Sequence, residues 1–273
     1  MAKFPKNPQQ IVRGLVRRFV NWFYGFRLSF QRILKGGTLW SRRGGWWLPF
    51  HGDGDVQEIS YQMHGEAWFK DEAERLQRWL PKGGVVVDAG ANLGFMALLF
   101  SGCVGPEGRV FAFEPSPFVY PRLVEVIDKN GLQNIRHFNL GCGTARMCET
   151  LVVPRASGNA SIKRDGVGLE GGGREVRIEI DALDNVLLPL TERVDFLKID
   201  TEGFEDQVLT GAERLITRFR PVIYIELSQQ FHDSSRKAIE WLVARGYSFD
   251  REPRLDRVLS ADNFLAFPPE RKP

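Results

Sequence analysis

Val85-Val86-Val87-Asp88-Ala89-Gly90-Ala91-Asn92-Leu93-Gly94 is the stretch on which the fold turns. Three consecutive β-branched apolar residues predict a strand covered on both faces, as in a parallel sheet. The strand ends at Asp88. Gly90 and Gly94 then let the backbone turn tightly into a helix predicted over 95–101.

The same alternation continues downstream. Strands are expected at 109–113, 135–140, 194–199 and 221–227, with helices at 119–130, 205–219 and 235–245. Segments 247–249 and 264–267 predict an antiparallel pair that closes the sheet. Repeated β-α-β units imply an α/β chain with a Rossmann-like, mostly parallel, doubly wound sheet and an antiparallel edge. Residues 67–80 read as a helix before it, and 36–55, rich in glycine, as an irregular connection. The glycine-rich run at 165–173 reads as a mobile surface loop. The expected division is 1–50 as a basic amphipathic helical segment and connection, and 51–273 as the catalytic domain, with its core at about 83–267.

The N-terminus differs from the body in charge. Residues 1–52 hold ten Lys or Arg and no acidic residue, which leaves 27 basic against 34 acidic residues, a net −7, over 53–273. An acidic body argues against nucleic acid as a partner, because such domains spread basic residues over a docking face. Apolar residues from Ile11 to Leu34 recur at helical spacing, with Arg17, Arg18, Arg27 and Arg32 largely on other faces. The charges interrupt any transmembrane span or signal peptide. Peripheral membrane contact through 11–35 and packing on protein are both open. A cytoplasmic location, at the membrane surface if that contact forms, is expected. Cys103, Cys142 and Cys148 form no CxxC pair and read as free buried thiols.

Ligands of open parallel sheets sit beyond the carboxyl ends of the strands, so the residues there are the ones to weigh. They are 88–94, Glu114, Gly141-Cys142, Asp200-Thr201-Glu202-Gly203 and Glu226. Glu114, ending the second strand, is placed to accept hydrogen bonds from ribose hydroxyls. A dinucleotide would need G-x-G-x-x-G to hold its pyrophosphate, and here Asn92 takes the middle position. Asp88 would repel a phosphate but favour a ligand carrying a sulfonium and an ammonium. S-adenosyl-L-methionine is therefore the expected cofactor.

Residues 88–94, Phe113-Glu114-Pro115, Lys198-Ile199-Asp200-Thr201-Glu202-Gly203-Phe204-Glu205 and Arg220-Pro221-Val222 leading to Ile225-Glu226 together resemble the FkbM-type methyltransferases. The resemblance spans about 65–267. It implies a class I methyltransferase fold and a hydroxyl acceptor on a sugar, a glycolipid or a polyketide-like molecule. It further implies that Asp88, Gly90, Asn92 and Gly94 line the methionine side, Glu114 the ribose, and Gly141 and Cys142 the adenine. Thr201 stands where a small aliphatic residue is common.

A sugar hydroxyl is a poor nucleophile until a base takes its proton. Asp200, on the strand expected beside the first, is the first candidate and Glu202 the second, although Glu202 could instead support the following helix start. His232 is the reserve. Asp200, Glu202 and Glu205 could in principle hold a divalent cation, but they come from one short segment without a partner cluster, and no metal is assigned. The alternatives to O-methylation are N-methylation and a non-catalytic adaptor that kept the fold.

Overall fold

The computed structural model describes residues 38–51, 56–154, 161–162, 173–255 and 261–271. The amphipathic segment at 11–35 and nearly all of the glycine-rich run at 165–173 lie outside them. The chain divides into two compact units, one ending at Lys70 and the other beginning at Asp71.

In the first unit, strands β1 (Leu39–Arg43) and β2 (Trp46–Phe50) pair antiparallel, Arg43 opposite Trp46. This hairpin replaces the irregular connection expected at 36–55. Gly44 and Gly45 both have positive φ, +53° and +89°, the backbone that a two-residue hairpin turn demands. Leu48 and Phe50 are buried, and Gln62 ties the hairpin down by donating to the carbonyls of Leu48 and Pro49 at 2.9 and 3.0 Å. Gln62 belongs to helix α1 (Val56–Leu76), which starts earlier than the predicted 67.

The second unit carries β3 (Val85–Ala89), α2 (Phe95–Val104), β4 (Arg109–Phe113), α3 (Tyr120–Lys129) and β5 (Ile135–Phe138). Four strands of an unforeseen smaller sheet follow: β6 (Gly141–Cys142), β7 (Met147–Pro154), β8 (Ser161–Ile162) and β9 (Gly173–Asp181). Then come α4 (Leu183–Leu187), β10 (Phe196–Ile199), α5 (Glu205–Gly211), α6 (Glu213–Phe219), β11 (Val222–Ser228), α7 (His232–Ala244), β12 (Ser248–Phe249) and β13 (Ala261–Phe267).

The main sheet has the order β12-β13-β11-β10-β3-β4-β5. Its five strands from β11 to β5 are parallel, and β13 and β12 close one edge antiparallel, as expected. The chain runs outward from β3 through β4 to β5, then restarts on the other side of β3 with β10 and β11. The order therefore reverses between β3 and β10, the position where such sheets bind ligands. Val86, Val87, Phe111, Phe113, Leu197, Ile199, Ile223 and Ile225 are all buried. Burial of each such side chain stabilises the domain by about 1.5–3 kcal/mol.

The predicted helix over 205–219 is two helices meeting at Ala212. The carboxylate of Asp184 accepts from the backbone N–H of Arg214 at 2.9 Å and of Leu215 at 2.7 Å. These are the orphan donors of a helix start, so a carboxylate 30 residues upstream stabilises the break. The three cysteines are free, but only Cys142 is buried; Cys103 is half-buried and Cys148 exposed. Among the described residues no helix is long and apolar enough to cross a membrane.

Candidate active site

The site is built from the turn after β3. Gly90 takes φ +81°, and a Cβ placed there would lie 1.8 Å from the carbonyl oxygen of Asp200, so only glycine allows the two strand ends to approach. Gly90 and Ala91 both donate their N–H to the carbonyl of Phe113, at 3.1 and 2.8 Å. Asn92 follows with φ +50° and Gly94 with φ +86°. The backbone N–H of Asn92 donates to Glu114 Oε2 at 2.9 Å, and that of Ser116 to Oε1 at 2.8 Å. One carboxylate at the end of β4 thus fixes the turn after β3.

Burial pushes the Glu114 carboxyl up to about 7, against the two backbone N–H groups and Lys198, which favour its ionised form. Each oxygen has one donor and retains capacity for another. That suits a pair of ribose hydroxyls. Asp88 is wholly buried, and burial also raises its carboxyl above the usual range despite Lys198. Apart from its ion pair with Lys198, neither oxygen meets a donor. A buried acceptor without a donor is costly, and a cationic ligand would relieve it. The residues present therefore fit an adenosyl ligand that carries positive charge.

Lys198, in the middle of β10, is the residue that sequence reasoning missed. Its ammonium lies 3.1 Å from Asp88 Oδ1 and 3.4 Å from Asp200 Oδ2, and donates to the Gly90 carbonyl at 2.6 Å. Burial alone would lower its pKa, but Asp200 and Asp88 overturn that and drive it above the ordinary lysine value. The signal was present: a lysine inside the otherwise apolar Phe196-Leu197-Lys198-Ile199 must have charged partners.

Asp200 and Glu202, after β10, and Glu226, which lies inside β11 and not after it, each bring a carboxylate oxygen within 4.8 Å of the others. The converging trio is therefore not the Asp200, Glu202 and Glu205 set considered from the sequence. Glu205 is buried and turned inward. Its Oε1 accepts from the N–H and hydroxyl of Thr201, at 3.2 and 3.1 Å, and from the N–H of Gly203 at 3.0 Å. Glu205 thus holds the loop before α5, the supporting role weighed for Glu202, and Thr201 uses its hydroxyl in that network. Glu202, at φ +52°, is left to face the cluster. Burial and then Asp200 push the Glu202 carboxyl up to about 7. Burial, Asp200 and Glu202 push Glu226 up to about 9.

Gly141 and Cys142 form β6 and pair with Ile180 and Asp181 of the smaller sheet. The Cys142 thiol lies in the main core, and burial, with Asp88 and Glu114 adding, pushes its pKa up, so it is no nucleophile. His232 opens α7, exposed, with Nδ1 3.7 Å from Asp233 Oδ1, and is not part of the carboxylate trio.

The family described as the methyltransferase FkbM domain matches residues 88–249. "Methyltransferase sdnD" of Sordaria araneosa is 28% identical over 230 residues, covering 68% of this chain and 87% of that protein. "Methyltransferase 1" of Beauveria bassiana is 25% identical over 150 residues, covering 49% of this chain and 60% of that protein. Among solved structures, methyltransferase FkbM from Methylobacillus flagellatus is 19% identical with a TM-score of 0.45. It is covered over 54% of its length by 78% of this chain.

Proposed function

The chain belongs to the FkbM methyltransferase family and uses S-adenosylmethionine, and from that premise we propose that it methylates a hydroxyl of a sugar, glycolipid or polyketide-like acceptor. The observation that carries this reading is the convergence of Asp200, Glu202 and Glu226 next to the donor turn. The donor supplies a methyl group on a sulfonium, an electrophilic carbon. Glu114 accepts from the ribose hydroxyls, and Asp88 adds the negative charge that a cationic donor prefers. Asp200, the member of the trio set against the Lys198 ammonium, would take the proton of the acceptor hydroxyl, so that its oxygen could receive the methyl group as the carbon–sulfur bond breaks and the electron pair stays on sulfur. Glu202 and Glu226 hold protons more readily than ordinary carboxylates and serve as hydrogen-bond donors or relays around the acceptor.

Asp200→Asn keeps the shape and removes the proton acceptor. Methyl transfer should fall by about 10²–10⁴, with donor affinity changed far less. Glu202→Gln should lose less. The reverse ranking would move the base to Glu202. Near-normal rates in both variants would favour His232 or N-methylation, since an amine already offers a lone pair. The adaptor alternative falls with the family match.

For partners, we propose an acceptor carried on a small molecule, glycan or lipid, no nucleic acid, and contact of the basic N-terminal stretch with an anionic membrane surface. The segregation of charge supports this, because an acidic body and a basic leading stretch orient the chain at such a surface.

A further inference from the structure

Strand β10 is buried along its length, and the Lys198 side chain is only 4% exposed. Stripping water from an ammonium is costly unless close acceptors replace it. The ammonium donates a hydrogen bond to the Gly90 carbonyl at 2.6 Å and is ion-paired with Asp88 Oδ1 at 3.1 Å and Asp200 Oδ2 at 3.4 Å. Two of these belong to the donor turn and the third is the carboxylate assigned as base. A counterion for Asp88 alone would need neither the Gly90 carbonyl nor Asp200. The backbone repeats the connection, because the Asp200 N–H donates to the Ala89 carbonyl at 3.1 Å.

We propose that Lys198 is a positioning residue that pins Asp200 to the donor turn, so that proton acceptor and methyl donor share one rigid frame across the reversal of strand order. The proposal rests on the reading of Asp200 as the base. Transfer between a fixed donor and a fixed acceptor is sensitive to such framing, since a displacement of about 1 Å costs roughly 10² in rate.

The test compares wild type with Lys198→Met and with Lys198→Met combined with Asp88→Asn. The single change leaves a buried carboxylate unpaired and lowers the thermal midpoint. The double change removes that stranded charge and recovers most of the midpoint, so it carries the comparison even if the single variant fails to fold. Amide exchange without ligand should be about tenfold faster over 198–205 and 89–94 in both variants. At saturating S-adenosylmethionine the double variant should keep kcat about 10²-fold down. Return of wild-type exchange over 198–205 in the double variant would reduce Lys198 to a counterion for Asp88 and overturn the proposal. Exchange needs no acceptor. If the wild type methylates no hydroxyl compound, the proposed acceptor chemistry fails while the exchange result still decides the role of Lys198.

Discussion

At the residue scale, Glu114 shows how one side chain holds a turn while each of its oxygens keeps capacity for a further donor. From the sequence it is a strand-end acid whose removal should leave the fold intact. In the structure its carboxylate holds the N–H groups of Asn92 and Ser116, so Glu114→Ala also strands two donors and loosens the turn. The expected loss of donor affinity corresponds to about 1.5–3 kcal/mol, the worth of a charge-assisted hydrogen bond. Calorimetry with S-adenosylmethionine measures it, and unchanged affinity in a folded variant would refute the ribose assignment. The carboxyl sits near 7 instead of its ordinary 4.5, so the folded, donor-free protein holds a proton that the unfolded chain releases. The part of donor-free stability that Glu114 contributes should therefore fall as pH rises from about 4.5 to about 7 and level off above. Ribose hydroxyls donate to the ionised form, so donor affinity should rise over the upper part of that range. Glu114→Gln should remove that contribution from both profiles, so that each differs from wild type over this range.

At the scale of elements, the strands and helices that alternate in pattern were legible, and the short turn-dependent ones were not. The hairpin of β1 and β2 is announced by Gly44-Gly45 between aromatic-rich runs, a signal that the abundance of glycine obscured. The pair β7 and β9 joins segments with 18 residues between them, and the pairing of distant segments leaves no local pattern. The turn after β3 is the element whose geometry is least forgiving. Gly90→Ala would drive a Cβ into the Asp200 carbonyl, whereas Gly131→Ala, at φ +65° with nothing within 4 Å, carries only the cost of its backbone angle. Gly131→Ala should cost about 1 kcal/mol, a shift of about 2–4 °C in the thermal midpoint. Gly90→Ala should lose several times as much or yield no folded protein. Equal midpoints for the two would show that the strand ends can separate, and would undo the account of the turn.

For the whole molecule, charge is the property that the fold does not absorb. Ten basic residues and no acidic one occupy 1–52, ahead of a body of net −7. If the leading stretch meets anionic lipid, the intact protein should float with anionic vesicles at low salt and release at high salt, because surface attraction is screened within about 10 Å at 0.1 M. A chain lacking residues 1–37, which keeps the hairpin, should not float. Equal flotation of both, or of neither, would return that stretch to packing against protein.

The sequence by itself determined the α/β class, the order of the parallel strands' helices, the antiparallel edge, the donor turn and the acids at the strand ends. All of these are local: a strand's burial shows in its β-branched run, and a ligand-side residue shows by following a strand. Only the tertiary structure decided which carboxylates lie together. Glu205 and Glu226 look alike in the chain, yet the first is bound by Thr201, Gly203 and Ser234, while the second joins Asp200 and Glu202. Only the structure gave Lys198 its partners. Whether a buried charge is paired depends on what β3 presents opposite β10, and register between strands more than 100 residues apart is fixed by packing, not by the residues on either side.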